Sequence, residues 1–135
     1  MIDWQALKLK AEQGANNAYA PYSNFHVGAA ALTENGVIVH GCNVENASFG
    51  LTVCAERNCL SNAVVNGERK ISALVVYTKQ EKLTPPCGAC RQVIAEFMSQ
   101  DSIVKAMNHL GDEQQWSVAE LLPDAFLPKD LEGKS

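Results

Sequence analysis

The chain has 135 residues, of which 47% are apolar and 19% charged, so we expect a single domain over 1–135 with one core. The net charge is −4 and the 11 lysines and arginines are scattered, which argues against a polynucleotide partner and allows a small neutral ligand. No apolar run approaches the roughly 18 residues that span a bilayer, and no signal peptide is visible, so we expect no membrane partner and a cytoplasmic location.

The first third of the chain predicts a helix and a hairpin. Asp3 is a candidate N-cap, and apolar residues then recur at helical spacing as far as Ala18. The stretch 25–33 is rich in small and apolar residues and predicts a buried strand. Asn35-Gly36 favours a hairpin turn, because this pair accepts positive φ at little cost, and 37–40 is the returning strand.

The rest of the chain alternates helices with strands. In order, the pattern predicts a helix over 54–65 with Thr52 as N-cap, a strand over 71–78, a helix from 87 or 88 to 99, a strand over 103–107, a short strand over 114–116, a short helix over 117–122 and an irregular tail. This alternation indicates an α/β fold with part of the sheet parallel. Sites in such folds lie beyond the carboxyl ends of strands, near helix N-termini, and both cysteine clusters fall there.

Five cysteines suggest metal chemistry more than disulfides: Cys42, Cys54, Cys59, Cys87 and Cys90. Their odd number and the absence of a secretion signal disfavour a disulfide framework. The CxxC of Cys87 and Cys90 alone would fit a redox pair, half of a structural zinc site or two buried thiols. With Cys54 the set offers three thiolates, which leave one tetrahedral zinc position free for water. Cys42 and Cys59 fit no ligand position, and we interpret them as buried thiols.

Glu56, two residues after Cys54, is the candidate catalytic group. A carboxylate beside zinc-bound water can take its proton and pass it to a substrate. A glutamate is usually a solvated surface residue, but its place at a predicted helix start beside a metal ligand favours catalysis. Arg57 follows, and its guanidinium would hydrogen-bond to a ligating sulfur and offset negative charge; the alternative is a surface arginine.

Cys54-Ala55-Glu56 followed by Pro86-Cys87-Gly88-Ala89-Cys90 is similar to the zinc deaminase signature. With cysteine at all three ligand positions, the chain resembles the small homotetrameric cytidine deaminases. Further segments resemble that family in the same order: Ala20-Pro21-Tyr22-Ser23-Asn24-Phe25, Gly41-Cys42-Asn43-Val44-Glu45-Asn46-Ala47, Cys90-Arg91-Gln92-Val93 and Glu120-Leu121-Leu122-Pro123. The resemblance implies a three-layer α/β/α fold with a central mixed five-stranded sheet and helices on both faces.

The resemblance also implies a role for each matched residue. One zinc ion per subunit would be bound by Cys54, Cys87 and Cys90, and Glu56 would shuttle protons from the zinc water to pyrimidine N3 and to the departing ammonia. Cytidine, and deoxycytidine with it, would become uridine or deoxyuridine in pyrimidine salvage. The substrate would be held by the ribose-binding Asn43 and Glu45, by Phe25 against the base, by the Ala55 N–H at the base carbonyl and by Phe126 from a neighbouring subunit of a homotetramer.

Three alternatives stay open from the residues. A structural zinc protein would need Cys59 or Cys42 as a fourth ligand and would have no free position. A thiol-disulfide module would use Cys87 and Cys90 but would have no need of Glu56. A deaminase of a related aminopyrimidine or nucleoside analogue is the third. One departure from the family pattern is Phe49, which stands where tyrosine is common and so lacks a hydroxyl for the sugar.

Overall fold

The fold is built on one five-stranded sheet, which a computed structural model describes together with its helices for residues 1–131. The last four residues of the expected domain, 132–135, lie outside this part. In chain order the elements are α1 (Trp4–Asn16), β1 (Val27–Thr33), β2 (Ile38–Cys42), a 3-10 turn (Phe49–Leu51), α2 (Ala55–Val65), β3 (Ile71–Thr78), α3 (Gly88–Phe97), β4 (Met98–Asn108), β5 (Glu113–Ser117), α4 (Val118–Leu121) and α5 (Pro128–Leu131).

The strand order is β2-β1-β3-β4-β5, with β3 and β4 parallel and the other neighbours antiparallel. The sheet is therefore mixed, as predicted. β3 and β4 are parallel because the chain crosses over through α3 between them and returns to the edge of the sheet at which β3 begins. The ends of β2, β3 and β4 and the start of β1 all meet at one edge of the sheet.

Both faces of the sheet are covered, because its central strands are apolar on both sides. On one face, Leu7 and Ala11 of α1 pack against Val75 and Tyr77 of β3. The opposite face carries the alternating residues of the same strands, packed against α2, α3 and α4 in a cluster that includes Leu60, Leu74, Ile94, Val104 and Leu121. Since strand side chains alternate between faces, this pattern gives the expected three layers.

Close backbone contact places α2 on the sheet. A Cβ added to Gly41 of β2 would lie 2.8 Å from Cys59 Cα and 2.9 Å from the Asn58 carbonyl carbon. Only a residue without a side chain allows this approach. The N-terminus of α2 is therefore held by direct backbone packing against β2, and the start of this helix carries two of the predicted site residues.

Several element boundaries differ from the prediction. The predicted extension of α1 to Ala18 is wrong, since the helix ends at Asn16 and the Asn17 N–H caps it. The N-cap of α2 is Cys54 and not Thr52, whose hydroxyl instead accepts from the Asn46 N–H at 3.2 Å. The helix predicted to reach Ser99 ends at Phe97.

Further differences lie in the strands and in the tail. β2, predicted over 37–40, runs from Ile38 to Cys42. β1 begins at Val27, two residues after the predicted start, and β4 begins at Met98, directly after α3 and five residues before its predicted start. A short helix, α5, forms within the tail that was expected to be irregular. Within residues 1–131, no helix combines the length and the apolar character needed to cross a membrane.

Candidate active site

The two cysteine clusters meet at the N-termini of α2 and α3. Cys54 is the N-cap of α2 and Cys87 the N-cap of α3, whose third residue is Cys90. The Sγ atoms of Cys54 and Cys87 are 3.6 Å apart, those of Cys87 and Cys90 are 3.2 Å apart, and all three lie within 4.8 Å of one another. Helix N-termini favour thiolate through their free N–H groups and dipole, so local structure and ligand chemistry agree here.

The spacing of the sulfurs fits a zinc ion. Zinc–sulfur bonds of about 2.3 Å at tetrahedral angles hold two sulfurs roughly 3.8 Å apart. The observed separations of 3.6 and 3.2 Å are shorter than this value by roughly 0.2 and 0.6 Å, which small rotations of the cysteine side chains can supply. Cys54, Cys87 and Cys90 are thus positioned to bind one metal ion. Such a soft, three-sulfur donor set suits zinc.

Cys54 and Cys90 have pKa values that are shifted in opposite directions. A hydrogen bond from the Cys90 thiol lowers the pKa of Cys54 to about 5, and Arg57 and Cys87 act in the same direction. The same bond to Cys54, together with burial, raises the pKa of Cys90. Cys54 thus loses its proton more readily than Cys90, whose thiol has to release its proton when it binds a metal.

Arg57 lies beside the sulfur of Cys54. Its Nη2 donates to Cys54 Sγ at 3.7 Å and to the Thr52 carbonyl oxygen at 3.5 Å. Its Nε is buried and has no hydrogen-bond partner in the described part of the chain. The hydrogen bond to Cys54 raises the pKa of Arg57, so the guanidinium keeps its positive charge. This contact places a positive charge where three thiolates would otherwise accumulate negative charge.

Glu56 is buried next to the sulfur cluster. Only 4% of its surface is exposed, although it lies in the first turn of α2. Burial raises the pKa of Glu56 to about 7, and the charge on Cys54 adds to this increase. A carboxyl group with such a pKa can both accept and donate a proton near neutral pH. A solvated surface glutamate, by contrast, is almost fully ionised near neutral pH and so rarely has a proton to donate.

The remaining cysteines lie apart from the cluster. Cys59 is buried and its Sγ donates to the Val39 carbonyl oxygen at 3.6 Å. Cys42 donates to the Asn17 carbonyl oxygen at 3.8 Å, and it is only half-buried, which corrects the expectation that it is fully buried. Among residues 1–131, no fourth histidine, cysteine, aspartate or glutamate joins the three sulfurs. The fourth ligand required by a closed structural site is therefore not supplied by Cys59 or Cys42.

Asn43 joins the end of β2 to the start of β1. Its Oδ1 accepts from the Val27 N–H at 2.9 Å, and its Nδ2 donates to the Phe25 carbonyl oxygen at 2.7 Å. The amide is 7% exposed. Each of its two groups keeps one further hydrogen-bonding site, because an amide oxygen has two lone pairs and an NH₂ has two protons.

Glu45 is tied to the loop before β1. Its carboxylate accepts from the N–H groups of Tyr22 and Ser23, at 3.0 and 3.1 Å, and from the Ser23 hydroxyl. The hydroxyl bond is the main reason that the pKa of Glu45 is lowered. The sequence alone did not single out Ser23, because its contact crosses 22 residues of chain. These bonds hold an ionised carboxylate against the loop before β1.

An open groove runs beside Glu45. It encloses about 320 Å³ and is lined by Tyr22, Ser23, Glu45, Phe49 and Thr52. The rings of Tyr22 and Phe49 meet edge to face, with centroids 6.1 Å apart. Thr52 lies two residues before Cys54, so the groove adjoins the segment that leads to the metal ligands.

The other predicted site residues occupy different environments. Phe25 is half-buried against the core and Ala55 is fully buried at the first position of α2. Phe126 is 56% exposed, and its carbonyl oxygen accepts from Gln92 Nε2 at 2.8 Å. Phe126 therefore lies on the surface of this chain and contributes no wall to the groove beside Glu45.

Known proteins that resemble this chain in sequence and fold point to one family. A family model described as "Cytidine and deoxycytidylate deaminase zinc-binding region" matches residues 1–107, which include all three sulfur ligands and Glu56. The cytidine deaminase of Halalkalibacterium halodurans is 47% identical over 130 residues, covering 96% of this chain and 98% of that protein. The cytidine deaminase of Mycobacterium tuberculosis strain H37Rv is 41% identical over 133 residues, covering 96% and 94%.

A solved structure agrees with these relatives. The crystal structure of cytidine deaminase from Burkholderia pseudomallei superposes with a TM-score of 0.88 at 46% identity, covering 93% of this chain and 100% of that one. The likeness thus extends over sequence, fold and the segment that carries the sulfur cluster. The chain belongs to the cytidine and deoxycytidylate deaminase family.

Proposed function

We propose that this single-domain protein catalyses the hydrolytic deamination of cytidine, and of deoxycytidine, to uridine or deoxyuridine and ammonia in pyrimidine salvage. One observation carries this proposal: three sulfurs lie within 4.8 Å of one another beside a glutamate that is 4% exposed. The names of the relatives point to cytidine as the base-bearing substrate.

The proposed mechanism divides the work between ligands and carboxylate. Cys54, Cys87 and Cys90 hold zinc, which when bound supplies a Lewis acid that makes water acidic enough to attack the base near neutral pH. Glu56 takes a proton from the attacking water and gives it to N3 of the pyrimidine. As the C4–N4 bond breaks, Glu56 transfers a second proton from the new C4 hydroxyl to the leaving amine, so that ammonia departs and a carbonyl remains. Arg57 fixes the sulfur of Cys54 and offsets its charge.

The substrate contacts are also proposals. Asn43 and Glu45 bind the ribose hydroxyls, since each keeps hydrogen-bonding capacity beyond its contacts within the chain. Phe25 packs against the base, and the N–H of Ala55 donates to the base carbonyl, because the first N–H groups of a helix have no partner within it.

The proposed assembly is a homotetramer in the cytoplasm, with active sites at the subunit interfaces. Exposed apolar side chains surround the loop that carries Glu45: Tyr19, Tyr22, Val44, Phe49 and Leu51. Several exposed apolar side chains on neighbouring segments are typical of a protein–protein interface. Phe126, exposed at the other end of the chain, is then available to close over a substrate bound in a neighbouring subunit.

The decisive test is a spectrophotometric assay on cytidine, deoxycytidine, cytosine and CMP, with the zinc content measured on the same sample. We expect turnover of the two nucleosides, little turnover of cytosine, which lacks the ribose, and little of CMP, for which the chain offers no basic cluster. Removal of zinc by a chelator should abolish turnover, and returning zinc should restore it. Zinc-loaded, folded protein that deaminates neither nucleoside would contradict the proposal.

A further inference from the structure

Arg91 joins three parts of the chain that meet behind the sulfur cluster. It directly follows the ligand Cys90 on α3. Its Nε donates to the carbonyl oxygen of Pro86 at 2.8 Å, and its Nη1 donates to the carbonyl oxygen of Leu121 at 3.1 Å. Pro86 is the residue immediately before the ligand Cys87. The guanidinium therefore links the two ends of the CxxC segment to α4.

The α4 end of this link is firmly anchored. Leu121 is 3% exposed and packs in the same core cluster as Ile94 of α3. Ser117 and Glu120 form a capping box that closes the first turn of α4. The Leu121 carbonyl lies at the end of this short helix, where carbonyl groups have no partner within the helix, and Arg91 satisfies it. One N–H of the guanidinium is thus held by a fixed element while another holds Pro86.

The Pro86 end lies between two exposed segments. Pro86 itself is buried, but residues 79–82 and Pro85 before it are exposed, as are Cys87, Gly88 and Ala89 after it. Pro86 has no N–H, so its carbonyl is its only backbone hydrogen-bonding group. Fixing that carbonyl fixes the peptide plane between Pro86 and Cys87, and with it the position of the Cys87 Cα from which the side chain extends.

We propose that Arg91 is the positioning residue of the zinc site: by holding the Pro86 carbonyl against α4, it keeps Cys87 and Cys90 in the arrangement that binds zinc before the metal arrives. It acts through the backbone, since its two hydrogen bonds go to the carbonyl oxygens of Pro86 and Leu121. This inference rests on one part of the proposed function, which is the binding of zinc by Cys54, Cys87 and Cys90. The planar guanidinium has several N–H donors in fixed directions, so it can hydrogen-bond to two carbonyls on different elements at once. The single ammonium group of lysine is less suited to bridging them.

The test compares Arg91→Ala with Arg69→Ala. Arg69 is a matched control, because its Nη1 also donates to two backbone carbonyls, of Val64 at 2.9 Å and Glu68 at 3.3 Å, away from the sulfur cluster. Zinc affinity is measured by competition with a chromophoric chelator, and the stability of the zinc-free protein by denaturant unfolding. We expect Arg91→Ala to weaken zinc binding about tenfold or more, as is usual for residues that orient metal ligands, and Arg69→Ala to leave it unchanged.

A second variant keeps the test decisive if Arg91→Ala does not fold. Arg91→Lys retains the charge and one donor group, and we expect it to fold and to bind zinc more weakly than the native chain. In cobalt-substituted protein, its sulfur-to-metal absorption bands should shift, whereas those of Arg69→Ala should not. Native zinc affinity and native cobalt bands in Arg91→Lys, or native affinity in a folded Arg91→Ala, would overturn the proposal. These measurements use no nucleoside. Native zinc affinity in the Arg91 variants would therefore not contradict the deaminase activity, and a lack of deaminase activity would not contradict a loss of zinc affinity.

Discussion

The two helix N-termini that form the site are built in opposite ways. At the start of α2, Ala55 is fully buried and Glu56 is 4% exposed. At the start of α3, Cys87, Gly88 and Ala89 are all exposed. Glu56, the proposed proton-transferring group, thus lies in the dry half, where burial raises its pKa to about 7, and the open half leaves the cluster accessible. A site that must both tune a carboxyl group and admit a substrate benefits from this division.

The difference comes from how each helix is held. α2 lies directly on β2, where Gly41 lets the two backbones touch. α3 follows an exposed loop, and its start depends on polar contacts such as the one from Arg91 to Pro86. Close backbone packing thus helps to hold α2, whereas the start of α3 combines the packing of Cys90 in the core with hydrogen bonds from Arg91. The substitutions below test this contrast.

The largest effect is expected for Cys87→Ala, in the exposed half. Two sulfurs would remain, too few for a stable zinc site, so the variant should lose its zinc and all measurable turnover. Cys59→Ala is the control, because Cys59 is a buried thiol of α2 outside the cluster and its loss should leave zinc at one per chain. Metal analysis and the cytidine assay on both variants give the answer. Full zinc content in Cys87→Ala would show that the ligand set is wrong.

Next in size is Glu56→Gln, in the buried half. The amide keeps the shape of the side chain but cannot carry a proton between water and base, so turnover should fall about 100- to 10,000-fold while zinc stays bound. Glu68→Gln is the control, since Glu68 accepts from Thr33 and Asn35 at the opposite edge of the sheet. Its kcat should stay near the native value. Near-native kcat in Glu56→Gln would remove the proton shuttle from the mechanism.

Much of this architecture could be predicted from the sequence. The strand over 71–78 was predicted with its observed bounds, because a strongly apolar run flanked by polar residues suits a strand buried on both faces. The alternation of strands and helices indicated a partly parallel sheet, and β3 and β4 form that parallel pair. The three sulfur ligands were predicted from their spacing and from the family pattern, and they lie together in the structure.

Other features depend on contacts between distant residues and could not be predicted. Thr52 suits an N-cap by residue type, but the chain places Cys54 at that position, and the Thr52 hydroxyl accepts from the Asn46 N–H instead. The early start of β4 at Met98 follows from pairing with Ile71. The bond from Arg91 to Leu121 crosses 30 residues, and no local pattern signals it.

An intermediate effect is expected for Arg57→Ala. Its guanidinium donates to the Cys54 sulfur at 3.7 Å, so its loss removes a positive charge from the buried half of the site. Zinc affinity or turnover should fall about ten- to 100-fold, with the fold retained. Circular dichroism, chelator competition and the cytidine assay measure the three quantities. If zinc affinity and turnover both remain native, the contact with Cys54 has no role in the chemistry.

The smallest effect is expected for Gly88→Ala, at the first position of α3. A Cβ there would meet no atom within 4 Å, so the free energy of unfolding should change by no more than about 0.5 kcal/mol. Gly41→Ala is the counterpart under α2, where the added Cβ would overlap the backbone of Cys59 and unfolding should become easier by about 1–3 kcal/mol or more. Denaturant unfolding of both variants measures the contrast. Equal losses would mean that the two halves are packed alike, and the division between a dry half and an open half would then need another cause.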